Sequence, residues 1–257
     1  MPDTPSYGPG VMKYVADAQK LIAERNGLIA RAKQWKFDTV AVHGLYSLEE
    51  SYARNQGAVI EPLFLSDSQH YRDADELEAA LAYLIPTWCY SRIANPTTYY
   101  LEWTMALLES YKAGVDASCL VTASGMGAIS MAVDPLLARK NNSEKINFVS
   151  SIQVYGGTFQ LFNLRKGEER GLEARWVCKP HCLEDWAAKV DENTRFLYME
   201  APSNPQQSFC DLRAVADLAH KWGIPFIVDA TCATPERHGA DLAADDMKDA
   251  VKDTAKS

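Results

Sequence analysis

The 257-residue sequence has no run of about 20 apolar residues, the length needed to cross a bilayer, so a membrane-spanning helix is not expected. Its first residues, Met1-Pro2-Asp3-Thr4-Pro5, lack a basic stretch followed by an apolar one, and a cytoplasmic location follows as the expectation. Positive charge is in short supply: 26 Lys and Arg stand against 34 Asp and Glu, for a formal net charge of -8. Such a surface repels phosphate backbones at long range, which argues against a nucleic-acid partner. Cysteine is too sparse for a disulfide scaffold, with six in the whole chain, and reduced thiols are expected. The segment Cys178-Lys179-Pro180-His181-Cys182 carries zinc-type ligands, but no second Cys/His pair accompanies it, so no metal site is assigned. Internal repeats and low-complexity segments are absent as well.

What is present is 47% hydrophobic residues, enough to bury a sizeable core. From Val11 to about Trp35, Val15, Ala18, Leu21, Ile22, Leu28 and Ile29 recur mostly at three- and four-residue spacing, which predicts an amphipathic helix. Phe37 to Tyr71 shows short apolar runs broken by Gly44, Gly57 and Pro62 and reads as an extended arm that needs another surface to pack on. Helices follow over Asp73 to Leu84 and from Pro96 to about Gly114. Beyond Ala117 the pattern alternates. Strands are predicted at 118–122, with Cys119 buried in it, and at 146–150, 174–178, 195–199 and 224–228. Helices are predicted between them at 126–138, 157–164, 183–189 and 211–222. Regular strand and helix alternation with short connections predicts an α/β fold, a mainly parallel sheet with helices on both faces. In such sheets ligands bind beyond the carboxyl ends of the strands.

Four constellations carry chemistry. Thr122-Ala123-Ser124-Gly125-Met126-Gly127-Ala128 joins an apolar strand to an apolar helix. Its small residues, Gly125 and Met126 at the helix start included, either expose backbone N–H groups to an anion or serve close packing. In Tyr90-Ser91-Arg92-Ile93-Ala94-Asn95-Pro96, Tyr90 and Arg92 stand two apart; in an extended segment they would point the same way toward one phosphate, or be a packed tyrosine beside a surface arginine. Tyr155-Gly156-Gly157-Thr158 offers an aromatic ring with unobstructed backbone beside it, suited to a flat heterocycle or to a structural turn. Finally, Glu200-Ala201-Pro202-Ser203-Asn204-Pro205 is followed after a helix-like stretch by Ile227-Val228-Asp229-Ala230-Thr231, which places Asn204 and Asp229 at loop ends on one edge of the sheet.

In this order the four elements resemble the Cys/Met-metabolism family of pyridoxal 5'-phosphate (PLP) enzymes, the transsulfuration group, over roughly Phe37 to Thr234. The resemblance implies a fold-type-I PLP-dependent transferase-like architecture. It divides the chain into an N-terminal helix and extended arm (1–71), an incomplete PLP-binding large domain (72–239) and a polar tail (240–257), the family's C-terminal domain being absent. It also implies roles: Tyr155 stacking on the cofactor ring, Asn204 bonding its 3-hydroxyl oxygen, Asp229 holding the ring nitrogen, Gly125 and Met126 near the phosphate, and Thr231 at the phosphate or ring edge. Tyr90 and Arg92 would reach the phosphate of a neighbouring subunit in a homodimer or homotetramer with shared sites. The implied reactions are γ-replacement or γ-elimination on homoserine-derived sulfur amino acids. Gly157 and the long N-terminal extension lean towards an O-acetylhomoserine sulfhydrylase-like activity.

The pattern breaks after Gly239-Ala240-Asp241. Where the family has an apolar strand ending in Ser/Thr-Lys, the sequence reads Leu242-Ala243-Ala244-Asp245-Asp246-Met247-Lys248. Lys248, Lys252 and Lys256 lack the hydroxyl neighbours of the family's Schiff-base lysine, so no catalytic residue is assigned. Three readings follow: a truncated or impaired form of the enzyme, a half-protein completed by another chain, or a non-catalytic relative acting through its dimer surface.

Overall fold

A computed structural model describes residues 7–86, 90–139, 141, 143–233 and 235. The tail 240–257, with Lys248, Lys252 and Lys256, lies outside the described residues. The described residues form two compact units, one up to Val121 and the other from Thr122 onward.

In the first unit, helix α1 (Pro9–Ala32) starts on a proline, whose missing N–H costs nothing at a helix start. The predicted apolar stripe is interrupted, because Leu21 and Ile22 at mid-helix are exposed and burial falls on the two ends. Val11 and Tyr14 pack against Ala79 of α4 (Ala74–Leu81), while Leu28, Ile29 and Ala32 pack with Val40 and Leu107. Asp73 caps α4 by accepting the Glu76 N–H at 2.9 Å and also accepts the Tyr14 hydroxyl at 2.7 Å, which ties the two helices together.

The expected arm is only partly extended. Its first half folds into α2 (Phe37–His43) and α3 (Leu48–Arg54). Ser47 accepts the Glu50 N–H at 3.1 Å and starts α3, while Tyr100 of α5 (Pro96–Glu109) donates to the Glu50 carboxylate. Val59, Ile60, Leu63 and Leu65 beyond it lie in irregular backbone and are exposed.

A second correction concerns 118–122, which is not a strand. No described strand lies beside it, the Val121 N–H bonds the Glu102 carboxylate at 3.0 Å instead of a ladder, Leu120 is exposed and Cys119 is only half-buried.

The second unit opens on α6 (Gly125–Val133) and holds a four-stranded sheet, all parallel, in the order β2-β1-β3-β4. The strands are β1 (Asn147–Ser151), β2 (Glu173–Val177), β3 (Thr194–Glu200) and β4 (Phe226–Asp229). Alternation along them fills both faces. Phe148, Phe196 and Tyr198 pack on one side with Ile129 and Val133 of α6 and with Phe162; Val149, Leu197 and Met199 pack on the other with Trp186 of α8 (Leu183–Ala187) and Val215 of α9 (Leu212–Lys221). Phe162 belongs to a π-helical stretch, Leu161–Glu168, that continues α7 (Gly156–Gln160). The fold class is the predicted one. Among the described residues no helix is long and apolar enough to cross a membrane.

Candidate active site

Parallel strands deliver their following loops to one edge, and there the second unit has a cleft of about 320 Å³. Its lining includes Gly125, Met126, Tyr155, Asn204, Asp229 and Thr231, so six of the eight residues singled out in the sequence meet in one place. Tyr90 and Arg92 belong to the first unit. Their segment is a turn rather than an extended strand: the Tyr90 carbonyl accepts the N–H groups of Ile93 at 2.8 Å and Ala94 at 3.0 Å. This satisfies backbone groups immediately before α5 and leaves the exposed Arg92 guanidinium 5.0 Å from the centroid of the Tyr90 ring.

Asp229 ends β4. Its Oδ1 accepts the N–H of Thr231 at 2.9 Å together with that residue's hydroxyl, and its Oδ2 lies 3.4 Å from the Tyr198 hydroxyl. Both polar groups of Thr231 are thus spent on orienting Asp229. Burial pushes the Tyr198 pKa up, so this phenol stays a donor.

Tyr155 stands at the start of α7 with its ring half-exposed at 52%. A Cβ at Gly157 would fall 2.6 Å from that ring and 3.1 Å from the Met126 sulfur, so glycine is what lets the ring lie where it does. At the start of α6, Ser124 caps the Gly127 N–H at 3.1 Å; the Gly125 and Met126 amides at the helix start have no side-chain cap.

The residue that sequence reading left without a role is Glu200. It is 4% exposed at the end of β3, in register with Asp229 on β4, and lines the same cleft. Its pKa is raised, first by burial and also by the charge of Asp229, against the lowering effect of the Tyr155 N–H it accepts at 2.8 Å. The sequence signal was there, a carboxylate opening the very run that contains Asn204, but its partner lies 45 positions away.

The chemistry of this donor set fits PLP. A carboxylate stands at one loop end for a ring nitrogen, an aromatic face for the ring, and a primary amide and two backbone N–H groups for its oxygen substituents. Among the described residues no group of three or more His, Cys, Asp or Glu side chains is arranged to hold a metal ion.

Comparison with known proteins gives the same answer. The chain is 32% identical over 212 residues to a homocysteine synthase of Schizosaccharomyces pombe, covering 80% of this chain and 46% of that protein. It is 33% identical over 219 residues to an O-acetyl-L-homoserine sulfhydrylase of Corynebacterium glutamicum, covering 83% of this chain and 46% of the relative. A solved Campylobacter jejuni structure, described as an O-acetylhomoserine (thiol)-lyase with N'-pyridoxyl-lysine-5'-monophosphate, superimposes with a TM-score of 0.66 at 29% identity. It covers 78% of this chain and 45% of that one. The chain thus spans about half the length of the curated relatives it matches. The profile of the family described as Cys/Met metabolism PLP-dependent enzymes matches residues 38–245, and the chain belongs to that family.

Proposed function

We propose that the cleft binds PLP and is the cofactor site of an enzyme acting on homoserine-derived sulfur amino acids by γ-replacement or γ-elimination, in the manner of an O-acetylhomoserine sulfhydrylase. The observation that carries this reading is the meeting of Tyr155, Asn204 and Asp229 with the amide end of α6 in one cleft. Bound PLP supplies an electron-withdrawing ring that stabilises negative charge on an amino acid joined to it. Asp229 would hold the proton on the ring nitrogen. Thr231 and Tyr198 keep that carboxylate aimed by donating to its two oxygens. Tyr155 would cover one face of the ring and keep water from it, Asn204 would donate to the 3-oxygen, and the N–H groups of Gly125 and Met126 would receive the phosphate.

The likeness to sulfhydrylases and homocysteine synthases supports a small amino-acid substrate of that class. A second copy of the chain supplying Tyr90 and Arg92 completes the proposal. Apolar residues around them support it: Ile93 is exposed, and so is Leu65 at 91%, on a segment held beside the turn by the Ser91 hydroxyl and the Asn95 amide. Among the described residues five cysteines are free of disulfides, which supports a reducing, cytoplasmic compartment.

Titrating the purified chain with PLP tests the reading. Saturable quenching of protein fluorescence is expected, weakened at least about tenfold by Asp229→Asn through loss of a charge-assisted partner. The visible band of the loaded protein should then shift when O-acetyl-L-homoserine is added. Absence of saturation, or an unchanged affinity in Asp229→Asn, rejects it.

A further inference from the structure

Glu200 is an unusual residue to bury. An ionised carboxylate withdrawn from water is costly unless donors surround it, and this one also sits beside a second carboxylate, since Glu200 and Asp229 are register partners on adjacent parallel strands. A residue needed only to fill the end of β3 would be apolar, as Phe196, Leu197 and Met199 are. What the carboxylate gains instead is a set of donors drawn from separate parts of the unit. Its Oε1 accepts the Tyr155 N–H at 2.8 Å and faces the buried Thr158 hydroxyl at 3.3 Å, both at the start of α7. The Asn204 N–H, from the loop after β3, lies close enough to favour its ionised form. Tyr155, the N-cap residue of α7, offers no side-chain cap of its own, and this carboxylate ties the entry of α7 to the end of β3.

We infer that Glu200 is a positioning residue: it fixes Tyr155 and Asn204 relative to Asp229 by gathering the backbone N–H groups of the first two beside the third. It acts through the ring of Tyr155 and the amide of Asn204. Its position in the cleft wall places the two loops that would grip a flat cofactor under one acceptor. The inference rests on the PLP reading for its consequence, and on the geometry of the protein itself for its mechanism.

The test compares Glu200→Gln, which keeps a side-chain oxygen at the same reach, with Glu200→Ala, which removes the acceptor. In the protein without added cofactor, amide hydrogen exchange at Tyr155 and Asn204 should accelerate about tenfold in Glu200→Ala, the factor expected when donors lose their acceptor. Exchange at Phe148 and Leu197 in the strand core should stay as in the parent, and Glu200→Gln should restore most of the local protection. PLP affinity should follow, falling about tenfold in Glu200→Ala and less than about threefold in Glu200→Gln. If Glu200→Ala does not fold, Glu200→Asp, which withdraws the acceptor by one methylene, should show the same local loss.

Unchanged protection at Tyr155 and Asn204 overturns the inference. So does a uniform acceleration through β1 and β3, which marks general stability, or an unaltered PLP affinity in a variant whose two amides have been freed. Should no protein, the parent included, take up PLP, the functional reading falls, and the exchange pattern alone then decides whether Glu200 positions the two loops.

Discussion

At the scale of single residues, Gly157 separates binding from folding. A Cβ there would come 2.6 Å from the Tyr155 ring, yet the position lies inside α7, where alanine is favoured over glycine by about 1 kcal/mol. Gly157→Ala should therefore leave the urea midpoint equal to or above the parent's while weakening PLP affinity several-fold; a parallel fall in both would show that the ring does not carry the effect. Glu200 gives a pH signature with a definite sign. Its folded pKa lies above the ordinary 4.5, mainly through burial, so the folded protein holds this proton more tightly than the unfolded chain. The associated stabilisation is complete below about 4.5 and is lost as pH rises through the folded value. Glu200→Gln never ionises, so its stability relative to the parent should be more favourable at pH 7 than at pH 4, measured by urea unfolding at both. The meeting of Tyr155, Asn204 and Asp229 in one cleft was readable because each sits in a short run of distinctive order. The contact of Glu200 with Tyr155 was not, because a tertiary hydrogen bond leaves no mark in local spacing.

At the scale of elements, the cap of α5 joins a helix to the loop outside it. Asn95 accepts the Thr97 N–H at 2.9 Å, while its own amide donates to the Phe64 carbonyl at 3.0 Å. Asn95→Ala should cost about 1 kcal/mol as a lost cap, with urea unfolding as the measurement. Proteolysis around 64–66 should become faster than the change in global stability explains; equal cleavage would assign the whole effect to the helix. The elements that sequence reading placed well are the four strands around the core, because apolar runs between helices of opposite faces have few alternatives. It misjudged 118–122, since an apolar run becomes a strand only when another strand lies beside it. It also passed over α2 and α3, which are seven residues each, too short for periodicity to register. One clue to α3 was present in Ser47 and Glu50, three apart at the spacing of a capping box.

At the scale of the whole molecule, the cleft poses an electrostatic problem. Two carboxylates, Glu200 and Asp229, line it, and among the described residues its lining contains no Lys, Arg or His. A phosphate carries negative charge, and two backbone amides at the end of a nine-residue helix offset only part of it. A cation from outside this described lining would offset the rest. Arg92 is suited to supply it, being exposed and, among the described residues, without a carboxylate in ion-pair range. If it comes from a second copy across a two-fold axis, each site draws Asp229 from one chain and Arg92 from the other. Arg92→Ala and Asp229→Asn proteins should then each lose PLP affinity alone. Mixing them in equal amounts under conditions that exchange subunits should restore parental affinity to about a quarter of the sites, because half of the dimers are mixed and each of those holds one intact site. Equilibrium titration of the mixture reads that fraction directly. A mixture that binds no better than its components would place Arg92 and Asp229 of any one site on the same chain or in no shared site. Parental affinity in Arg92→Ala alone would mean that the phosphate finds its positive charge elsewhere.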